Sequence, residues 1–211
     1  MAEIRQSQGK FLLAADQFLQ ALALDPNDPD TLQTYSNTLA ELGYLKLSLE
    51  ARQHLQAVEP YVPVFNRAFA RILWADGQTD AAIALYKSPA TANASPELEL
   101  ARIYAYQGHY DQAADLMQSN ETAAHLLRTA PSVAASAQTL PPLGREAWVY
   151  LYVGAPQRVL EYLEGSVKAM GFFAPDLVPL WSPPYAPIRK TERFKAFVRA
   201  AGMVDYWKAK G

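Results

Sequence analysis

Glycines recur in this chain at a fixed interval. Gly9, Gly43 and Gly77 are evenly spaced, and Gly108 follows after a slightly shorter gap. Prolines keep the same interval: Pro26 in Leu-Asp-Pro-Asn and Pro60 in Val-Glu-Pro-Tyr each fall midway between one glycine and the next. A period of about 34 residues restricts the chain to stacked copies of one supersecondary unit. Between the breakers lie segments of about 12 to 15 residues, the length of ordinary helices, with apolar residues at three and four spacing. Phe11, Ala14, Ala15, Phe18, Leu19 and Leu22 form one such stripe; Leu32, Tyr35, Leu39 and Leu42 form the next. Each unit therefore reads as two antiparallel helices, and the fold class as all-α.

Small side chains share the period, for a physical reason. Helices packed about 8–10 Å apart need a small residue wherever their backbones come nearest, with larger residues filling the flanks. With each glycine counted as the fifteenth position of a unit, the first unit supplies Ala14, Phe18, Ala21 and Pro26 at the twentieth, twenty-fourth, twenty-seventh and thirty-second positions. The second gives Leu32, Tyr35, Ser36, Leu39, Ser48 and Pro60, but carries Arg52 and Leu55 where the pattern asks for an aromatic and an alanine. The third gives Phe69, Ala70, Leu73, Ala82 and Tyr86, and the fourth Leu100, Ala101, Tyr104, Ala113 and Met117. These residues resemble the tetratricopeptide repeat family, whose unit is a helical hairpin of about 34 residues. The resemblance implies a right-handed α-α superhelix. Turn chemistry points the same way: the glycines suit a left-handed helix end, and Asp25-Pro26-Asn27-Asp28-Pro29-Asp30 stops one helix and offers an acidic N-cap to the next.

The units fall near 1–28, 29–62, 63–93, 94–127 and 140–171. The opening helix of the first would have to begin before Met1, so Ala2 to Ser7 supply its last turns; the expectation is a segment cut from a longer protein. Glu121 to Ala130 reads as a helix, and the breaker-rich stretch from Pro131 to Pro142 exceeds the period, which marks an insertion at 128–139. A degenerate fifth hairpin follows, with Ala147, Tyr150 and Gly154 in register and a second helix from about Pro156 to Met170. Residues 172–211 change character. Five prolines between Pro175 and Pro187 forbid a continuous helix, yet Leu177, Val178, Leu180, Trp181 and Tyr185 are too apolar for a solvated linker. This segment is expected to lie against the last hairpin. Thr191 is placed to N-cap a helix with Phe194, Phe197, Val198 and Ala201 on one face, ended by Gly202 before a short turn carrying Trp207: a C-terminal cap on the solenoid. Arg193-Phe194-Lys195 through Gly202-Met203-Val204-Asp205-Tyr206-Trp207-Lys208 is also similar to the end of tetratricopeptide regions in bacterial multidomain regulators, where they follow a nucleotidyl cyclase or winged-helix domain. That similarity implies the C-terminal regulatory module of a signalling or transcription-regulating protein, cytoplasmic, or periplasmic if the parent spans a membrane.

The 19 basic and 21 acidic residues leave a formal charge of −2, which gives no electrostatic case for direct nucleic-acid binding. No apolar run approaches the about 18 residues of a membrane span, and the absence of cysteine removes disulfides, thiolate metal sites and a cysteine nucleophile. Phosphate loops, dinucleotide turns, His-Glu-x-x-His and Gly-x-Ser-x-Gly are missing, and His54, His109 and His125 lack metal-ligand spacing. The reading is a non-enzyme without metal or cofactor.

Function then falls to the surface formed by the first helix of each unit. The family resemblance implies an inward-facing groove bearing Asn37, Arg71, Arg102 and Trp148 at the ninth position. Gln33 and Arg67 take the fifth, Trp74 the twelfth, and Glu41, Tyr106 and Tyr152 the thirteenth. Arg67 and Arg71 are one helical turn apart, and guanidinium groups bind carboxylates in bidentate fashion. Trp74, Tyr106, Trp148 and Tyr152 offer flat contact area at low entropic cost. The expected ligand is an extended or helical peptide with acidic groups, or another domain of the parent protein. Two alternatives stand beside it. One is a homodimer formed through a first-unit surface at Phe11, Leu12 and Phe18; the other, disfavoured, is a helical-repeat enzyme.

Overall fold

The periodic glycines end their helices by one hydrogen-bond pattern. Gly43 has φ +84°; its N–H donates to Ala40 O while Tyr44 N–H donates to Leu39 O, the paired bonds that close a helix C-terminus through a left-handed residue. Gly9, Gly77 and Gly108 repeat it at φ +73°, +84° and +81°. The computed structural model describes residues 2–92, 95–117, 119–130, 139–170 and 177–211. Among them every regular element is helical, and no helix is long and apolar enough to cross a membrane. The chain divides into two compact units, Met1–Ala94 with Ser166–Gly211, and Ser95–Gly165.

In the first unit, α1 (Ala2–Ser7) and α2 (Phe11–Leu24), α3 (Pro29–Glu41) and α4 (Leu45–Val58), and α5 (Pro63–Ala75) and α6 (Thr79–Tyr86) form three consecutive hairpins. Each packs on the next through α2 with α3 and α4 with α5, and α3 also touches α5. Asp28 accepts a hydrogen bond from Thr31 N–H at 2.9 Å, the N-cap expected from the acidic turn. The recurring small residues are at the tight places: Ala14, Ser36, Ser48, Ala70 and Ala82 have no exposed surface. Between α3 and α4 the approach is close enough for Ser48 Oγ to donate to Ser36 O at 2.7 Å. A core of Ala40, Leu49, Phe69, Ile72 and Ala75 links the second and third hairpins.

The second unit holds α7 (Glu97–Tyr106), the short α8 (Tyr110–Asp115) and α9 (Glu121–Thr129), the last capped by the Asn120 side chain accepting from Ala123 N–H. Ala101 and Ala113 are again fully buried. The fifth hairpin differs from expectation in its first arm. Gly144–Leu151 is a 3-10 helix, not an α-helix. The Tyr150 hydroxyl ties this arm to the residues before it, donating to Pro141 O and accepting from Leu143 N–H. Arg158 lies over the Tyr150 ring and donates to Leu140 O. The second arm, α10 (Gln157–Met170), runs as expected after Gly154 at φ +76° and carries the chain back into the first unit. The insertion at 128–139 lies outside the described residues except at its ends, as do residues 172–176 of the proline-rich segment.

The C-terminal segment belongs to the first unit, which corrects the expectation that it lies against the last hairpin. Short 3-10 turns at Val178–Trp181 and Pro183–Tyr185 lead into α11 (Ala186–Arg189), α12 (Glu192–Ala200) and α13 (Met203–Lys210). Val178 is buried in the core of the second and third hairpins, with Trp181 packed against it, and α13 lies on α2. The indole N–H groups of Trp181 and Trp207 donate to Glu41 O and Leu42 O, each at 2.9 Å. Two of the carbonyls that α3 leaves unbonded at its C-terminus are thereby satisfied by residues far along the chain. Trp181 also stands edge-to-face with Trp207 and Phe194, and Tyr44 with Tyr206. Thr191 caps α12 by accepting from Phe194 N–H, and Gly202, at φ +77°, starts α13, a full helix where a short turn was expected. Of the residues on which the homodimer alternative rests, Phe11 and Phe18 are buried within this unit, at 1% and 5% exposure, and Leu12 is half-buried.

Candidate functional site

Helical spacing puts Gln33 and Asn37 one turn apart on α3, and the hairpin brings α4 alongside them. From α4, Arg52 reaches across. One of its terminal nitrogens donates to Gln33 Oε1, and the other donates to Asn37 Oδ1 at 2.5 Å and to Gln33 O at 3.3 Å. Its residual exposure is 1%, so this is a cation inside the fold. Its hydrogen-bond partners are neutral oxygens, with no carboxylate among the described residues, and Nε is buried without a partner. Burial, and after it the charge of Arg71, pushes the Arg52 guanidinium down to about 9. It remains charged at neutral pH. A buried charge held by dipoles alone is costly compared with one that has a counter-ion.

The next first helix, α5, contributes Arg67 and Arg71, both half-buried. Each takes part in a further interaction, as does Glu41, and Gln6 Nε2 donates to Glu41 Oε2 at 2.8 Å. The first unit thus brings together Gln33, Asn37, Arg52 and Arg71. Trp74 behaves differently: at 1% exposure it is a core residue, with its indole N–H buried and without an acceptor among the described residues. It offers no contact area to a ligand in this arrangement.

In the second unit, Arg102 is half-buried on α7, its Nε buried without a partner among the described residues, and Tyr106 is 45% exposed. Trp148 is buried at 3% and stands edge-to-face with Tyr152, which in turn meets Tyr110. These aromatics make a packed cluster, with Tyr106 the exposed member of the expected set. Among the described residues no group of histidine, aspartate and glutamate is arranged to hold a metal ion.

Sequence reasoning missed Arg52 as a site residue. Its signal was present: an arginine standing at a position that the repeat pattern reserves for an aromatic core residue. A charged side chain in a core register needs either a partner or a purpose. No protein-family model, no curated protein and no solved structure matches this chain.

Proposed function

We propose that the chain is a tetratricopeptide-type helical-repeat scaffold, a right-handed α-α superhelix that binds a protein segment bearing acidic groups and performs no catalysis itself. The fold part of this reading is supported by the repeated glycine turns, the fully buried small residues at equivalent crossings, and the hairpin-on-hairpin packing of α1 to α6. The function part rests on one observation: Gln33, Asn37, Arg52 and Arg71, from three successive helices, concentrate positive charge and hydrogen-bond donors with Arg52 paired only to neutral oxygens. The same proposal assigns the scaffold a regulatory or sensing part in signalling or transcription control.

The test is binding of an acidic capped peptide and its Gln/Asn counterpart to the purified chain by fluorescence anisotropy. Acidic peptide should bind at least tenfold more tightly, and replacing Arg67 and Arg71 together by alanine should remove most of that preference while far-UV circular dichroism stays unchanged. Equal binding of the two peptides, or an unchanged preference in the double variant, would overturn the acidic-segment reading.

A further inference from the structure

Arg52 determines what its neighbours have left to offer. A carboxamide has one acceptor oxygen and an NH2 with two donors. Gln33 and Asn37 both turn their side-chain oxygens to Arg52, so those acceptors are occupied. Their NH2 groups make no hydrogen bond to any described residue, and both residues are only half-buried. Two NH2 groups one helical turn apart on α3 are therefore left to solvent or a ligand. Arg52 lies beneath them as a buried positive charge, its electrostatic neighbour being another cation, Arg71.

We infer that Gln33 and Asn37, held oxygen-inward by the buried Arg52, form a donor-only subsite that takes a carboxylate. The inference deepens the acidic-segment reading and rests on it for the source of that carboxylate. A carboxylate is planar and acceptor-only, so it matches two NH2 groups without leaving a donor of its own unsatisfied. A neutral amide of the same shape presents NH2 hydrogens to other NH2 hydrogens at one of its two contacts. Electrostatics act in the same sense, because an anion near the buried guanidinium supplies the counter-charge that the fold omits, and does so in a medium of reduced dielectric. Arg52 does not touch the ligand. It is a positioning residue: with it gone, both carboxamides are free to rotate and present oxygen or nitrogen equally.

The prediction is read by two-dimensional NMR of the side-chain NH2 resonances of Gln33 and Asn37 in the full chain. Sodium acetate at millimolar concentration should shift both resonances saturably; acetamide should not, and inorganic phosphate should bind at least tenfold more weakly than acetate. Gln33→Glu places a carboxylate beside Arg52 from within the chain. It should keep the fold, raise the melting temperature and reduce acetate affinity at least tenfold at Asn37. Arg52→Met should abolish the preference for acetate over acetamide, and Arg52→Lys should not restore it, since a single ammonium cannot fix two carboxamides. No acetate shift, an equal response to acetamide or phosphate, or unchanged acetate binding in Gln33→Glu would each overturn the subsite.

Capped peptides with one internal glutamate, and uncapped peptides with glutamine there, separate a side-chain carboxylate from a chain terminus as its source. Acidic peptide binding that needs Arg67 and Arg71 but survives Gln33→Glu sinks this subsite and leaves the broader reading standing. Acetate binding that disappears in Gln33→Glu, without peptide discrimination, does the reverse.

Discussion

Three glycines share nearly one backbone conformation and differ in what surrounds them, which makes a graded test of where the C-terminal segment sits. Gly77, Gly43 and Gly202 have φ of +84°, +84° and +77°. Giving any of them a Cβ costs the left-handed penalty of about 1–2 kcal/mol. A Cβ on Gly77 would meet nothing within 4 Å, so Gly77→Ala measures that penalty alone. On Gly43 it would stand 3.2 Å from the Trp181 ring. That ring is anchored by its bond to Glu41 O and flanked by Trp207 and Phe194, so overpacking adds about 1–3 kcal/mol. On Gly202 it would fall 2.3 Å from the Gly9 carbonyl oxygen, a backbone atom that no rotamer change can move, and the cost should exceed that at Gly43. For a chain of this size about 1 kcal/mol corresponds to about 2–4 °C in melting temperature. Thermal unfolding followed by tryptophan fluorescence should therefore rank Gly77→Ala, Gly43→Ala and Gly202→Ala in increasing order of loss. Combining Gly43→Ala with Trp181→Leu should give less than the sum of the two single losses. Equal losses at Gly77 and Gly43, or a mild effect at Gly202, would refute the placement of Trp181 against the Gly43 turn and of Gly202 against the Gly9 turn.

Tyr206 is pushed up to about 12, by burial first and then by Tyr35, Tyr44 and Asp16. An acid raised in the folded state contributes stability that is complete below its ordinary value of 10.0 and is lost as pH climbs through about 12; chemical denaturation between pH 9 and 12 should fall less steeply in Tyr206→Phe, and parallel slopes would argue against the shift. Thr191→Ala removes the N-cap of α12 and should cost about 1 kcal/mol in urea unfolding, whereas Thr191→Asp should retain the cap. Trp74→Phe should leave acidic-peptide affinity within about twofold, because Trp74 is inside the core; a tenfold loss would show that the buried indole takes part in binding.

What was legible in the sequence is what depends on neighbours close in the chain. Gly43 and Gly77 mark helix ends because a left-handed residue must end the helix that contains it, and Ser36 and Ser48 mark a crossing because both belong to one hairpin. The Thr191 cap and the Gly202 turn were legible for the same reason. The burial of Trp74 and Trp148 was not: the register gives the face of a helix on which a side chain lies, but not how deeply neighbouring helices cover it. The 3-10 arm at Gly144–Leu151 also escaped, since apolar spacing at three and four does not separate a 3-10 helix from an α-helix over eight residues. Arg52 was visible as a departure from the pattern, but its bonds to the side-chain oxygens of Gln33 and Asn37 were not, because they join two helices.

The return of the C-terminal segment changes what kind of object the first unit is. In a simple repeat array each hairpin contacts only its neighbours, so stability is a sum of local terms and the ends fray independently. Here Trp207 bonds to Leu42 O across most of the chain's length, and Gly202 packs on Gly9. Contacts of that reach tie the first hairpins to the end of the chain, so the C-terminal segment and α2 to α5 should unfold together. The same contacts hold the end of α3, through the carbonyls of Glu41 and Leu42, on the helix that carries Gln33 and Asn37. An interaction face built on α3 therefore has its register fixed from both sides: by Arg52 of its own hairpin, and by the indoles of Trp181 and Trp207 arriving from the other end of the sequence.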